Sequence, residues 1–261
     1  MPEGDSVFQT ARMLHAALAG HEVTRFELRV PRAATADLTG ETVHDVTPRG
    51  KHLLIHIGEY TLHSHLKMEG RWQVYRPGER WRAPAFQARA IVGVGDVDRR
   101  TDAVGFELAM VELLRTADED RVVGHLGPDL LGPDWDPVVA AQNLAADPRP
   151  AHVALLDQRN LAGLGNEYAN EVLFVRGILP TRPTTGIDAP ALVDTASRMI
   201  RANRDRPIRT FTGDTRRGQG NWVYGRGGRP CRRCGTSIRR GELGADPTAE
   251  RIAFWCPRCQ R

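Results

Sequence analysis

Two Cys-x-x-Cys pairs near the end of the chain constrain its fold more than any other feature. They read Cys231-Arg-Arg-Cys234 and Cys256-Pro-Arg-Cys259, with 21 residues between them. Each pair can donate two thiolates to one tetrahedral zinc, and the stretch between suits a β-hairpin. This gap is slightly longer than is usual for the pattern, which a hairpin tolerates. Because four sulfurs leave no open coordination position, we expect one structural Zn²⁺ in a zinc ribbon; redox or catalytic thiols are the alternative.

The rest of the composition fits an intracellular chain of two domains. At 261 residues there is room for two cores but not three. No run of about 18 apolar residues could span a membrane, and Glu3 and Asp5 replace the apolar stretch of a secretory signal. All four cysteines lie beyond residue 230, which is typical of metal binding in a reducing compartment. We therefore expect a cytoplasmic protein without a membrane partner.

Positive charge is concentrated in one block. Residues 198–240 carry thirteen arginines against two aspartates, a local charge of +11 in a chain whose net charge is +4. Such a block indicates a surface that follows phosphates; a merely solvated basic face is the alternative.

Lysine is rare in this chain. Of 36 Lys and Arg residues only Lys51 and Lys67 are lysines. Arginine stays protonated near neutral pH whereas lysine can lose its proton. Each lysine is therefore a candidate for amine chemistry, although chance alone could have left two.

The hydrophobic pattern changes from helical to strand-like and back. Residues 3–18 predict an amphipathic helix with Val7, Ala11, Leu14 and Leu18 on one face. Short segments rich in Val, Ile, Leu and aromatic residues follow. Predicted strands are Glu22–Val30, His52–Ile57, Tyr60–Leu66, Arg71–Tyr75, Ala88–Val94 and Phe106–Leu114. These segments predict a β-sandwich of antiparallel sheets behind an N-terminal helix.

Helices dominate the second half. An acidic segment with Gly-Pro at 127–128 and 132–133 predicts an interdomain connection. Helical patterns follow at 137–146, 150–158, 166–176 and 188–204, and then a mobile loop at 211–228. We expect an α+β multidomain chain: a β-sandwich domain at 1–115, a linker at 116–136, a helical domain at 137–226 and the zinc ribbon at 227–261.

The turn Leu161-Ala-Gly-Leu-Gly-Asn166 lies between two predicted helices. Gly163 and Gly165 permit a tight turn and close backbone approach, and Asn166 is placed to cap the next helix. Free N–H groups at that helix start would face an anion such as phosphate. A simple packing turn is the alternative.

The chain opens Met1-Pro2-Glu3-Gly4. Removal of Met1 would expose the secondary amine of Pro2, and α-amino groups titrate at about pH 7.7–8.0, so part of it is neutral at pH 7. Attack by this amine on a sugar C1′ gives an iminium that acidifies C2′ and drives elimination of the 3′ phosphate. Glu3 could donate or shuttle a proton. Taken alone, Pro2 is an ordinary N-terminal proline.

Four features, in this order, resemble the formamidopyrimidine-DNA glycosylase and endonuclease VIII family. They are Pro2-Glu3, the turn ending in Asn166, Val223-Tyr-Gly-Arg226 and the four-cysteine ribbon. The resemblance spans essentially the whole chain and implies the family's helix–two-turn–helix domain. The opening Met-Pro-Glu-Gly is more similar to the endonuclease VIII branch than to the purine-directed branch.

The resemblance implies roles for individual residues. Pro2 would be the Schiff-base nucleophile, Glu3 the proton donor, and Lys51 a participant in glycosidic-bond cleavage and elimination. Asn166 would contact a phosphate. Arg251 would bind a phosphate and assist the second elimination.

It also implies residues that hold DNA. Met68 matches a wedge that fills the space left by an everted nucleotide, a role that suits a flexible apolar side chain; burial in the sheet core is the alternative. Lys67 and His125 match DNA-contact positions. A second void-filling loop, expected around residues 95–106, and base contacts within 210–221 are not assigned to single residues.

These features predict a bifunctional DNA glycosylase/AP lyase of base excision repair that everts oxidised bases, with pyrimidines favoured. An oxidised-purine glycosylase and a non-catalytic zinc-ribbon DNA-binding protein are the alternatives. The expected partner is damaged DNA, in duplex, single-stranded or bubble form. We expect a monomer associated with the nucleoid.

Overall fold

The computed structural model describes residues 2–96, 98–244 and 250–261, which divide into two compact units. The first unit contains Pro2 and residues 6–125, and the second contains residues 3–5 and those from 126 onward. The division at 125/126 falls inside the segment that the sequence predicts as a connection. The four domain boundaries given above stay a prediction.

The helices follow the predicted pattern closely. They are α1 (Gly4–Leu18), α2 (Asp120–Val123), α3 (Pro137–Ala146), α4 (Ala151–Leu156), α5 (Asn166–Arg176) and α6 (Ala189–Asn203). The longest have 15 residues. Within the described residues, none is long and apolar enough to cross a membrane.

The described residues form ten strands, all paired antiparallel. In chain order they are β1 (Val23–Leu28), β2 (Val43–Arg49), β3 (His52–Ile57), β4 (Tyr60–His65), β5 (Arg71–Tyr75), β6 (Ala88–Val94), β7 (Thr101–Phe106), β8 (Met110–Arg115), β9 (Arg239–Leu243) and β10 (Arg251–Trp255). The first unit has two four-stranded sheets, ordered β1-β6-β7-β5 and β2-β3-β4-β8, and β9 and β10 form a separate hairpin.

Three strand predictions were wrong. The predicted strand at 106–114 starts too early, because the chain turns at Glu107, whose φ is +50°, and β8 begins only at Met110. The strand β7, which ends at Phe106, was not predicted. The strand β2 was not predicted either. Its register shifts between Val43 and Asp45, which breaks the alternation of apolar residues, and it contains Pro48.

The core of the first unit joins α1 to both sheets. Val7, Ala11, Leu14 and Leu18 are at most 1% exposed and belong to one cluster with residues from both sheets, including Leu53 and Ala90. The helical spacing in the sequence therefore predicted the buried face of α1 correctly. The expected helix with a β-sandwich is confirmed.

The second unit is built around α5. Its residues Tyr168, Ala169, Val172 and Leu173 are buried in a cluster with α3, α4 and α6. Its last turn, at Phe174, packs against Val223 and Phe254 of the cysteine module. One helix thus supports both the helical core and the ribbon.

A buried carboxyl group fixes the chain between α6 and the ribbon. Glu171 on α5 is 0% exposed and accepts backbone N–H groups from Trp222, Val223 and Tyr224 at 2.8–2.9 Å. Burial raises the pKa of Glu171 to about 7, and the three N–H donors oppose that rise. The segment 211–228 contains no helix or strand, as predicted.

Candidate active site

The carboxylate of Glu3 is held at the start of α5. Its Oε2 accepts the N–H of Gly165 at 2.7 Å and its Oε1 accepts the N–H of Glu167 at 2.8 Å. The residue is 0% exposed. These N–H groups have no partner inside the helix and lie at its positive end, so they stabilise an anion. The predicted anion site at the start of the helix therefore exists. The anion bound by the N–H groups of Gly165 and Glu167 is the carboxylate of Glu3, however, and not a phosphate.

Two glycines make this approach possible. A Cβ on Gly165 would lie 2.4 Å from Cδ of Glu3, and a Cβ on Gly4 would lie 2.9 Å from the carbonyl oxygen of Gly163. Gly163 itself has a φ of +101°, and its carbonyl accepts the N–H of Gly4 at 2.8 Å. The predicted tight turn and close backbone approach are confirmed, and the approaching backbone is that of residues 3–4.

Asn166 does not cap α5 as predicted, because Glu3 already occupies the N–H groups at the helix start. Asn166 is the first residue of α5, and the N-cap position is occupied by Gly165, which has no side chain to cap the helix. Its Nδ2 donates to the carbonyl of Ile252 at 3.0 Å, and its Oδ1 lies 2.8 Å from Nε2 of His152. The side chain therefore joins α5 to β10.

Lys51 lies in the turn between β2 and β3, within a group of histidines. Nδ1 of His52 lies 2.8 Å from Nε2 of His63, and the rings of His65 and His125 lie edge-on to His52. Burial, then the neighbouring histidines and Lys51, lower the pKa of His52 to about 3. Burial, then Lys67 and Lys51, lower the pKa of His65 to about 4. His52 and His65 are thus neutral at pH 7.

The turn after β4 carries Lys67 and Met68. Met68 is 62% exposed, so the alternative of burial in the sheet core is wrong. Lys67 has a φ of +54°, a conformation that L side chains rarely adopt. Its N–H donates to Nδ1 of His65 at 2.9 Å. The turn thus projects an apolar and a cationic side chain side by side.

His125 is exposed in the turn after α2. Its ring lies 6.3 Å from that of His52, so it shares a surface with the histidines next to Lys51.

Residues Arg209–Asn221, which we call the arginine loop, are closed by internal hydrogen bonds. The N–H of Phe211 donates to the carbonyl of Gly220 at 2.7 Å, and Oγ1 of Thr212 donates to the carbonyl of Gln219 at 2.7 Å. The loop and the segment 224–229 line a cavity of about 300 Å³. Five arginines face it: Arg209, Arg216, Arg217, Arg226 and Arg229.

Arg209 is only partly exposed, with 14% of its side chain accessible. Its guanidinium bonds both oxygens of Asp5, at 2.5 and 2.7 Å, and Oε2 of Glu167 at 2.6 Å. Burial opposes its charge, but hydrogen bonds to Asp5 and the nearby carboxylates raise the pKa of Arg209 further above its usual value. No sequence pattern indicated this cluster, because Asp5 and Arg209 are 204 positions apart.

Arg251 is the first residue of β10, where the hairpin returns. It is exposed, and its Nη1 donates to the carbonyl of Glu250. The next residue is Ile252, the acceptor of Asn166. Asn166 thus bonds the residue that follows Arg251 on β10.

The four cysteines converge as predicted. The four Sγ atoms all lie within 4.8 Å of one another, and none forms a disulfide; they belong to Cys231, Cys234, Cys256 and Cys259. The 231–259 pair is separated by 3.9 Å and the 234–256 pair by 3.5 Å. Tetrahedral sulfurs about 2.3 Å from one ion are about 3.8 Å apart, so these residues fit a metal ion.

The predicted residues fall into two groups. In the first unit Lys51, Lys67 and His125 surround the histidines, and Pro2 and Met68 belong to the same unit. In the second unit Glu3, Asn166 and Arg251 lie along the start of α5 and β10. The segment expected to hold a second void-filling loop includes β7 at 101–106, and Val97 lies outside the described residues.

Comparisons with known proteins agree on one family. The family model of the formamidopyrimidine-DNA glycosylase N-terminal domain matches residues 1–127, and that of its H2TH domain matches residues 126–202. A probable endonuclease 8 2 from Streptomyces coelicolor is 56% identical, over 100% of this chain and 94% of that protein. The DNA-(apurinic or apyrimidinic site) lyase Nei2 of Mycolicibacterium smegmatis is 51% identical, over 100% and 99%.

Solved structures give the same result. MutM in complex with DNA containing carbocyclic 8-oxo-G has a TM-score of 0.81 and 25% identity, covering all of both chains. Lactococcus lactis Fpg bound to abasic-site DNA has a TM-score of 0.78 and 26% identity, again covering all of both chains. The helix, sheets, H2TH helices and clustered cysteines of this chain thus belong to one known architecture, and the chain is a member of the formamidopyrimidine-DNA glycosylase family.

Proposed function

We propose that this protein is a bifunctional DNA glycosylase and AP lyase of base excision repair. The observation that carries the proposal is Glu3, whose carboxylate is fixed by two backbone N–H groups directly after Pro2. A buried acid fixed beside an N-terminal amine is suited to proton transfer during amine attack. The relatives named endonuclease 8 2 and AP lyase Nei2 support an enzyme over a non-catalytic DNA-binding protein.

Pro2 acts as the nucleophile once Met1 is removed. Its nitrogen bonds to C1′ as the glycosidic bond breaks, and the departing base takes the bonding electrons and a proton supplied by the site. Opening of the sugar leaves an iminium, which acidifies C2′. Loss of that proton expels the 3′ phosphate, and water then releases Pro2. Glu3 serves as the proton donor.

Lys51 participates in base release and elimination. It adjoins His52 in sequence, and its charge helps to lower the pKa of both His52 and His65, which stay neutral at pH 7. A lysine that can give up a proton is suited to this role, and arginine is not. Arg251, exposed on the ribbon hairpin, assists the second elimination and binds phosphate.

DNA is held by both groups of residues. Lys67 and His125 contact the backbone, and exposed Met68 enters the space left by the everted nucleotide. Asn166, at the positive end of α5, contacts a phosphate. The arginine block supplies further affinity that depends on salt concentration.

One Zn²⁺ bound by Cys231, Cys234, Cys256 and Cys259 stabilises the ribbon. Four thiolates and no open position make its role structural. The metal would fix the hairpin that carries Arg251.

Oxidised pyrimidines are the proposed substrates. The opening Met-Pro-Glu-Gly and the relatives named endonuclease 8 2 favour this branch. Saturated pyrimidines such as thymine glycol also cost less to evert, which adds selectivity without base contacts. Single-stranded and bubble DNA are accepted for the same reason. We also propose that the protein is a monomer that acts in the cytoplasm at the nucleoid.

Borohydride trapping tests this function. On abasic-site DNA we expect a covalent protein–DNA adduct linked through residue 2, and a retained Met1 or an N-terminal tag should abolish it. Efficient trapping by the blocked protein would exclude Pro2. A panel of thymine glycol and 8-oxoguanine duplexes tests the branch: faster removal of 8-oxoguanine opposite cytosine would favour the oxidised-purine alternative.

A further inference from the structure

The arginine loop is attached at both ends to one side chain, Glu167. At the start of the loop, Nη1 of Arg209 donates to Oε2 of Glu167 at 2.6 Å. At its end, Nδ2 of Asn221 donates to Oε1 of Glu167 at 3.0 Å. The carboxylate of Glu167 therefore fixes the spacing of the two ends of the loop.

The backbone of that residue serves a different purpose. The N–H of Glu167 donates to Oε1 of Glu3 at 2.8 Å. Arg209 also bonds both oxygens of Asp5, two residues after Glu3. The side chains of Asp5, Glu167 and Arg209 are 4, 16 and 14% exposed, so water competes little with these ion pairs.

Tyr168 completes the cluster. Its hydroxyl donates to Oδ2 of Asp5 at 2.8 Å, and the guanidinium carbon of Arg209 lies 5.1 Å from its ring centre. Because an arginine is planar and carries several donors, it can bind two carboxylates and a ring face at once. A lysine at this position could not reproduce all three contacts.

We propose that Arg209 is a positioning residue that fixes the arginine loop, and the cavity it lines, relative to the catalytic N-terminal segment. The inference rests on the proposed function, and it adds that excision of a damaged base requires this cluster whereas AP lyase activity does not. An abasic site has no base to place in the cavity. Glu3 keeps its backbone donors without Arg209, because α5 is held by buried Ala169 and Val172.

The test compares two substrates under single-turnover conditions with saturating enzyme, so that differences in DNA affinity do not contribute. One duplex carries thymine glycol and the other an abasic site. For Arg209→Gln we expect base excision to fall by about 100-fold, the scale expected when reacting groups are slightly misplaced. Strand cleavage at the abasic site should change less than about threefold. Arg209→Lys should recover only part of the loss.

Loss of Arg209 removes the cation that Asp5 and Glu167 share, so the single variant could fail to fold. The double variant Asp5→Asn/Arg209→Gln removes both charges of the main ion pair and should fold. It should show the same selective loss as the single variant, because the two residues act through one another. Arg115→Gln is the matched control: it removes an exposed arginine that is paired with Glu59 and lies outside the arginine block.

An equal loss on both substrates, or no loss on either, would overturn the positioning role while leaving the proposed function intact. If the unchanged protein cleaved neither substrate, the proposed function itself would fail.

Discussion

The Nδ2 amide of Asn166 donates to the carbonyl of Ile252 at 3.0 Å, which joins α5 to the strand that begins with Arg251. A carbonyl only accepts, so Oδ1 of Asn166 must face His152, and Nε2 of His152 must carry the hydrogen. Nδ1 of His152 has no partner, and burial lowers the pKa of His152 to about 4. A neutral histidine of one tautomer thus orients the amide.

His152 should make the protein sensitive to acid. The unfolded chain binds a proton near pH 6.5, whereas folded His152 does so only near pH 4. The contribution of neutral His152 to the free energy of unfolding is therefore complete above pH 6.5. As the pH falls to 4, up to about 3 kcal/mol of this free energy is lost. His152→Gln keeps an N–H donor but does not titrate, so it should reduce the loss of stability in acid by that amount.

Urea unfolding at pH 4.5 and 7 measures this loss. His44→Gln, at an exposed histidine, is the control. Equal acid sensitivity of His152→Gln and the unchanged protein would exclude the effect.

Gly165→Ala should displace the carboxylate of Glu3. The new Cβ would lie 2.4 Å from Cδ of Glu3, so the side chain must leave the N–H groups of α5. We expect both base excision and AP lyase rates to fall by about 100-fold while DNA affinity changes little. Gly186→Ala, whose Cβ meets nothing closer than 3.8 Å, is the matched control. Unchanged activity of Gly165→Ala would show that the position of Glu3 is not essential.

The two lysines should respond differently to the same substitution. Lys51→Arg keeps the charge but removes a transferable proton, so base excision should be strongly impaired. Lys67→Arg should be mild if Lys67 only contacts phosphate. Single-turnover excision rates compare the two, and equal damage would show that lysine scarcity does not identify the chemical lysine.

Lys67→Gly should stabilise the fold and weaken DNA binding. Relief of the positive φ at this position outweighs the extra freedom of glycine in the unfolded chain by about 0.5–1 kcal/mol. If Lys67 contacts one phosphate, the slope of log affinity against log salt should decrease by about 0.9. Denaturant unfolding and salt titrations measure the two effects separately; an unchanged salt slope would remove Lys67 from the interface.

Cys256→Ser should release the metal. We expect zinc analysis to fall from one ion per chain to none, with weaker DNA binding because the hairpin carrying Arg251 loses its anchor. The first unit should stay folded, since its core contains none of the four cysteines. Full DNA affinity in this variant would contradict a role for the ribbon in binding.

Local patterns predicted the parts of the structure that depend on near neighbours. The four buried residues of α1 followed from helical spacing, and the grouping of the cysteines followed from two short motifs. The anion at the start of α5 was misassigned because its source, Glu3, is 162 positions away from Gly165. The cluster of Asp5, Glu167 and Arg209 was missed for the same reason. Contacts between distant charged residues leave no periodic signal in one sequence.

The capping of α5 by Glu3 has a consequence for the order of synthesis. Glu3 is synthesised near the start of translation, but the two N–H groups that bind its carboxylate, at residues 165 and 167, follow more than 150 residues later. A nascent chain that ends before this turn contains Pro2 and Lys51 but lacks the N–H groups that fix Glu3. A prematurely terminated product of that length should therefore not cleave DNA.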